Sequence, residues 1–413
     1  MNLLVLLLAD AGTVVANSAT GDRVVIEAGT RGELHVNSSD PASQPVLLNG
    51  LDILSLMAEQ HRTLSQQTEL IAAQASRLLA LQHDMCSLHP PHLGRLPIAD
   101  LSSPKWADGV LAPNGLIYAV PRDATSVLII DPATNSLDTT TITSIPVGDN
   151  KWHGGVLSPS NSIIYCPPSS AESVLKIDPA SNTASFMTIS GLSPSSLSRG
   201  SLFKSAVLGK NGLIYSVPYH AAFVLVVDPA ADTTDITTFS GLSSDSAKWW
   251  GGVVVSDGRI FCIPRSSDSV LILSPATGAF DATTMPVSPV EQKWSGGVLA
   301  SSGLIYGIPF KSSSVLIIDP VAMTTDTTTI TGLDGDHKWS GGVLAMDGRA
   351  VGFPYQSDAV LIIDPATNAV DTTTLTGAGS GPAKHVAGVL AGNGQLYAMP
   401  FQADGVLIID MGC

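Results

Sequence analysis

Lys293-Trp294-Ser295-Gly296-Gly297-Val298-Leu299-Ala300 is followed by Gly303-Leu304-Ile305-Tyr306-Gly307-Ile308-Pro309, by Ser314-Val315-Leu316-Ile317-Ile318-Asp319-Pro320 and by Asp326-Thr327-Thr328-Thr329-Ile330. Three short apolar runs and one Thr-rich run, separated by turn residues, read as four strands, A to D. The unit recurs. Its Lys-Trp opening stands at Lys105-Trp106, Lys151-Trp152, Lys248-Trp249, Lys293-Trp294 and Lys338-Trp339, with degenerate copies at Leu202-Phe203 and Lys384-His385. Successive copies begin 45 to 51 residues apart. Seven such repeats of short strands predict an all-β fold, a seven-bladed β-propeller with four-stranded blades around a channel.

Each part of the repeat has a physical reason. The A–B connection carries Asn114-Gly115, Asn211-Gly212, Asp257-Gly258, Asp347-Gly348 and Asn393-Gly394, which tolerate the positive φ of a tight hairpin. Strand C is apolar on both faces, as in Val127-Leu128-Ile129-Ile130, which suits burial between two blades. Asp-Pro at Asp131, Asp178, Asp228, Asp319 and Asp364 starts the C–D turn. A polar, Thr-rich strand D suits an outer edge. The Gly-Gly pair of strand A permits close backbone approach around the axis. The last copy stops after strand C, at Ile408-Ile409-Asp410, whereas Leu96-Pro97-Ile98-Ala99-Asp100-Leu101 precedes the first Lys-Trp as a strand D should. Blade seven is therefore expected to be closed by an N-terminal strand.

The phrase VLIIDPATN occurs at Val127–Asn135 and again at Val360–Asn368. It resembles the YVTN-type propeller repeat of surface-layer and other extracellular proteins, and the whole unit is similar to propeller repeats of algae and protists. The resemblance covers residues 95–413. It implies the propeller fold and carries almost nothing about activity. The Lys-Trp-x-Gly-Gly opening departs from the YVTN pattern, so no ligand transfers with it.

Upstream, residues 1–16 read as a candidate signal peptide. Leu3 to Ala9 is apolar, and cleavage after Ala11 or Ala16 fits the small-residue rule, although a basic n-region is missing. The alternative is a buried first strand. Residues 17–50 alternate in short pieces and read as a small β segment, with a glycosylation sequon at Asn37. Residues 51–86 read as a coiled-coil helix. Met57, Leu64, Ile71, Leu78 and Met85 recur every seven residues, with Ile53, Gln60, Gln67, Gln74 and Leu81 at the partner position. This predicts a homo-oligomer through residues 51–86; the alternative is an amphipathic helix lying on the propeller. Residues 87–94 read as a linker, and the propeller spans 95–413. Cys166 and Cys262 share one repeat position and are expected to be buried free thiols. Cys86 and Cys413 form a candidate disulfide that would lock the ring in an oxidising compartment.

Charged residues are 13 % and the net charge is −15, which argues against a nucleic-acid partner. No run is apolar enough for a transmembrane helix. No catalytic motif, metal-ligand spacing or cofactor loop is present in the sequence, so no cofactor and no metal are expected. The expected ligand-binding residues are the repeated pairs placed around one channel mouth: Lys105, Trp106, Lys151, Trp152, His153, Lys248, Trp249, Trp250, Lys293, Trp294, Lys338, Trp339, Lys384 and His385. Trp beside Lys suits a sugar ring or an anionic group. The competing reading makes each aromatic a wedge between blades and each lysine a donor to carbonyls. The function these features favour is a non-enzymatic binding or adhesion module, secreted or at the cell surface, for a glycan or an extracellular protein. The alternatives are a lyase or hydrolase working at the same mouth, or a cytoplasmic interaction scaffold.

Overall fold

A computed structural model describes residues 13–17, 23–28, 34–37, 47–48, 51–52, 59–74, 77, 89–98, 105–192, 200–379 and 381–412. The chain divides into two compact units, Met1–Leu88 and His89–Cys413.

In the first unit, β1 (Thr13–Asn17), β2 (Arg23–Ala28) and β3 (Leu34–Asn37) form an antiparallel sheet in that order. The residue-16 boundary of the candidate signal peptide falls inside β1, and Asn37 is the last residue of β3. β4 (Leu47–Leu48) pairs with β5 (Leu51–Asp52), so residues 51–52, expected to open the helix, belong to a strand pair instead. The intervening Asn49-Gly50, a strong two-residue hairpin signal, accounts for this difference. The described helix, α1, covers 59–74, and along it Leu64, Leu70 and Ile71 are exposed. Met57, Leu78, Leu81, Met85, Cys86 and Cys413 lie outside the described residues, as does the Cys86–Cys413 pairing.

The second unit is an all-β, seven-bladed propeller of four-stranded antiparallel blades. In blade one, strands A to D are Trp106–Leu111, Ile117–Pro121, Leu128–Asp131 and Ser136–Asp138. Strands A of successive blades touch around the axis, and blade seven meets blade one there. The apolar core is divided among seven clusters, one at each blade interface. Val110, Tyr118 and Ile129 of blade one meet Trp152, Ile164 and Leu175 of blade two, and Tyr397 and Val406 of blade seven meet Trp106 and Ile117 of blade one. This is why strands B and C are apolar on both faces: each side chain row serves a different interface. Cys166 and Cys262 are buried free thiols on such strands.

Ring closure uses a strand from before the first blade. β6 (His92–Pro97) pairs antiparallel with strand C of blade seven (Gly405–Asp410), from His92 opposite Asp410 to Pro97 opposite Gly405. It starts upstream of the Leu96–Leu101 stretch read from sequence. The physical reason is that Leu93 packs into the interface of blades six and seven while Leu96 and Ile98 pack into that of blades seven and one. Both interfaces are filled only in this register. Ile98 N–H then extends the ladder to Asp404 O at 2.9 Å. Tyr397 O–H donates to Asn135 Oδ1 across the same seam at 2.8 Å.

Strand D lies just upstream of the Thr-rich run read as strand D: in blade five it is Thr324–Asp326 and not Asp326–Ile330. It ends at Asp326, whose Oδ1 accepts the Thr328 and Thr329 N–H groups. The threonines form a turn capped by that aspartate, a local bond that competes with the ladder.

Candidate functional site

The repeated tryptophans are buried wedges. Trp106, Trp152, Trp249, Trp294 and Trp339 are 2–4 % exposed, and Phe203 and His385 fill the same position. Each indole N–H donates to a carbonyl at the start of strand C in its own blade: Ser126, Ser173, Ser269, Ser314 or Ala359, at 2.7–3.0 Å. His385 Nδ1 lies 3.2 Å from Met399 O, and burial lowers its imidazole to about 4.

The repeated lysines are buried as well. Lys151, Lys248, Lys293, Lys338 and Lys384 each reach a carbonyl of the preceding blade: Ala124, Ala221, Ser267, Ser312 and Ser357, at 2.8–3.1 Å. Each also bonds a carbonyl three residues upstream in its own chain segment. Lys105 is half-buried, and its carbonyl collects the N–H groups of Arg122, Asp123 and Ala124. The Lys-Trp pairs expected to face a ligand are therefore buried: the indoles bond within their own blade and the lysines bond across to the preceding one. Of the residues read as ligand-binding, His153 and Trp250 line the axial cavity.

That cavity, about 180 Å³, is walled by strand A of all seven blades. Nearly half of the wall is glycine. Gly251 and Gly296 have φ of +88° and +91°, and a Cβ on either would fall 2.7 or 2.9 Å from the Cα of the next blade's glycine. Side chains enter at the variable position after the wedge aromatic, His153 in blade two, Lys204 in blade three and Trp250 in blade four, and where the first glycine is replaced, by Asp108 in blade one and Ser205 in blade three.

A second ring stands just after the proline that ends strand B, at Arg122, Ser169, Tyr219, Arg265, Phe310, Tyr355 and Phe401. These side chains join around the mouth. The Arg122 guanidinium lies 5.0 Å from the Phe401 ring, and Arg265 lies 4.5 Å from Trp250 and 4.1 Å from Phe310. Phe310 meets Tyr355 at 5.0 Å and His337 at 4.8 Å. In this second ring the two arginines stand on blades one and four, and blades five to seven contribute Phe310, Tyr355 and Phe401, with the His337 imidazole against Phe310. The signal for this ring in the sequence is the Arg/aromatic bias at the position after each strand-B proline. Asp108 was missed because it replaces a glycine in only one copy.

The charges are unusual. Burial, then repulsion by Arg122 and Arg265, lowers the Lys204 ammonium to about 7. Burial, then Lys204 and Arg122, holds His153 well below its ordinary value, so its imidazole is neutral. Burial raises the Asp108 carboxyl to about 7 against hydrogen bonds from the Gly109 and Gly155 N–H groups. Asp123 pairs with Arg122, and Lys204 Nζ donates to Asn150 Oδ1 at 2.9 Å. Among the described residues, both ring nitrogens of His153, Nε of Arg122, Nε and Nη1 of Arg265 and Oγ of Ser205 are buried without a hydrogen-bond partner. Such groups are rare in folded proteins. Among the described residues, no cluster of His, Cys, Asp and Glu is placed to hold a metal, and no described helix is long and apolar enough to cross a membrane.

No protein-family model matches the chain, and no curated protein matches it. Solved structures do share the fold. A streptogramin B lyase superposes with a TM-score of 0.62 at 10 % identity, covering 77 % of this chain and 97 % of that one. A virginiamycin B lyase from Staphylococcus aureus gives 0.60 at 9 % identity, covering 78 % and 99 %. The extracellular domain of a protein assigned as a hybrid two component system of B. thetaiotaomicron gives 0.57 at 12 % identity, covering 78 % of this chain and 42 % of that one. At these identities the likeness shows the fold alone: the chain carries a seven-bladed β-propeller.

Proposed function

We propose that the protein is a secreted or cell-surface binding module whose ligand, a glycan or an extracellular protein, seats on the channel mouth. The observation that carries this reading is the convergence of unpartnered buried polar atoms and half-exposed aromatics at one end of the axial cavity. Polar groups left unpaired in a concave, aromatic-lined site are what a binding site presents before its ligand arrives. The similarity to an extracellular domain supports the location. The heptad in residues 51–86 supports self-association, since exposed Leu64 and Ile71 on α1 are the kind of surface a second copy covers. Several mouths on one stalk would convert weak single contacts into useful avidity. The YVTN-like repeat remains a resemblance consistent with that setting. The test is a glycan and extracellular-protein array probed with the whole protein and with Trp250→Ala and Tyr355→Ala variants. Loss of binding with unchanged thermal unfolding supports the reading; unchanged binding in both variants refutes it.

A second reading is an enzyme, a lyase or hydrolase, at the same mouth. Asp108 and Lys204, which line one cavity and are both brought to about 7, favour it, because groups poised near neutrality suit proton transfer. Mass analysis of ligands recovered after incubation separates the two. Cleaved or rearranged ligand, lost in Asp108→Asn, establishes catalysis; intact ligand leaves binding alone.

A further inference from the structure

The binding reading leaves the ligand's chemistry open, and the groups around Trp250 narrow it. The His153 imidazole is 5.1 Å from the Trp250 ring, Lys204 Nζ is 5.7 Å and the Arg265 guanidinium 4.5 Å. They come from three successive positions around the ring, blades two, three and four. His153, Lys204 and Arg265 are 3 %, 7 % and 5 % exposed. Among the described residues, neither Lys204 nor Arg265 forms an ion pair.

Contact with aromatic faces offsets part of the burial cost of such cations. It gives no acceptor to the Nε and Nη1 donors of Arg265, which are unpartnered. A guanidinium has donors only, so what completes it must accept hydrogen bonds, and in a positive surrounding an anion does so best. The charge count narrows this to one negative charge. Arg122 is paired by Asp123. That leaves Arg265 with one positive charge and Lys204 with a share of another, a surplus between one and two. Asp108, brought to about 7 in the same cavity, takes up part of that surplus, so a carboxylate balances the remainder and a dianionic phosphate overshoots it. Beyond the cations the mouth is aromatic, with Tyr355 half-exposed and 6.5 Å from Phe401. Such a surface suits the face of a ring.

We propose that Arg265, Lys204 and His153 form a subsite for the carboxylate of a ring-bearing monoacid, with the ring resting on the aromatic half of the mouth. This rests on the binding reading and names its ligand. Within it, a uronic acid residue of a glycan is the source expected.

The test is calorimetric titration of the whole protein with an oligouronate, its neutral methyl ester, benzoate and inorganic phosphate. The oligouronate should bind, and the ester should bind about 10- to 100-fold more weakly, the loss expected for charge-assisted bonds. Arg265→Gln should erase that difference. Benzoate binding with no oligouronate binding would keep the carboxylate subsite and reject the sugar source. Equal affinity for acid and ester, or tighter binding of phosphate, overturns the carboxylate assignment while leaving the mouth as a binding site. Absence of binding by every probe overturns the carboxylate subsite, and the array result decides the binding reading separately. The acid-against-ester comparison on the unmodified protein stands even where Arg265→Gln fails to fold.

Discussion

Lys338 Nζ donates to the Ser312 carbonyl of the preceding blade at 2.9 Å. The same ammonium also bonds Gly335 O at 2.7 Å, so one side chain ties its own D–A loop to the neighbour's B–C loop. Four other blades repeat the arrangement. Lys338→Ala strands these carbonyls and opens a small cavity. The expected cost is roughly 2–4 kcal/mol, read from urea unfolding followed by tryptophan fluorescence. An unchanged midpoint would mean that the lysine ring is dispensable to blade packing.

Gly296 sets a sharper constraint. Its φ is +91°, and a Cβ there would lie 2.9 Å from Gly341 Cα, backbone that cannot swing aside. Gly296→Ala therefore combines left-handed strain with a clash, and a loss above about 2 kcal/mol is expected. Gly303→Ala is the control: φ is +87° but nothing lies within 4 Å, so strain acts alone and the loss should be smaller. Melting temperatures of the two variants decide the matter.

Lys204 predicts a pH signature. Its folded value, about 7, lies below the ordinary 10.5. The unfolded chain then holds more protons between those two values, so this residue makes stability rise with pH from about 7 to 10.5. Burial acts first, then repulsion by Arg122 and Arg265, with Asp123 opposing and the His153, Tyr219 and Trp250 rings as neighbours. Lys293 and Lys338, at about 8, add slopes of the same sign. Lys204→Met should melt at a higher temperature than the parent at pH 7, with the gap closing toward pH 10. A gap that widens with pH would contradict the assignment.

The ring closure predicts where the chain tolerates truncation. A protein starting at His89 keeps β6 and should show the near-ultraviolet circular dichroism of the packed propeller. One starting at Asp100 lacks the strand that covers Gly405–Asp410 and leaves Leu93, Leu96 and Ile98 out of two interfaces. It should aggregate or melt well below the longer form. Equal melting of the two would show that β6 is ornamental.

Fold and site differ in how far the residues disclosed them. Repetition exposed the blades, because Asn-Gly turns, Ile-Ile runs and prolines recur at fixed offsets and every copy votes for the same strand. The stitched seventh blade was legible from a missing strand at one end and a spare one at the other. Its register was not, since that depends on Leu93 and Leu96 reaching different interfaces. The site followed the opposite logic. The most repeated residues, Lys and Trp, are the mortar between blades, and the chemistry gathers where copies disagree: Asp108, His153, Lys204, Trp250 and the residue after each strand-B proline. Symmetry served to read architecture; its breaches mark the mouth.

The closing seam also sets a timetable for biosynthesis. His92–Pro97 leaves the ribosome before any blade, yet its partner Gly405–Asp410 emerges after every other strand of the ring. At 5–20 residues per second, the first strand waits roughly 15–60 s for its mate. During that interval six sheets can assemble as an open horseshoe with an unsatisfied edge at either end. Pro97 and Gly94 make the waiting strand a poor template for a stranger. The circle is thus completed only once strand C of the seventh blade has been made, which makes Gly405–Asp410 a checkpoint for the ring.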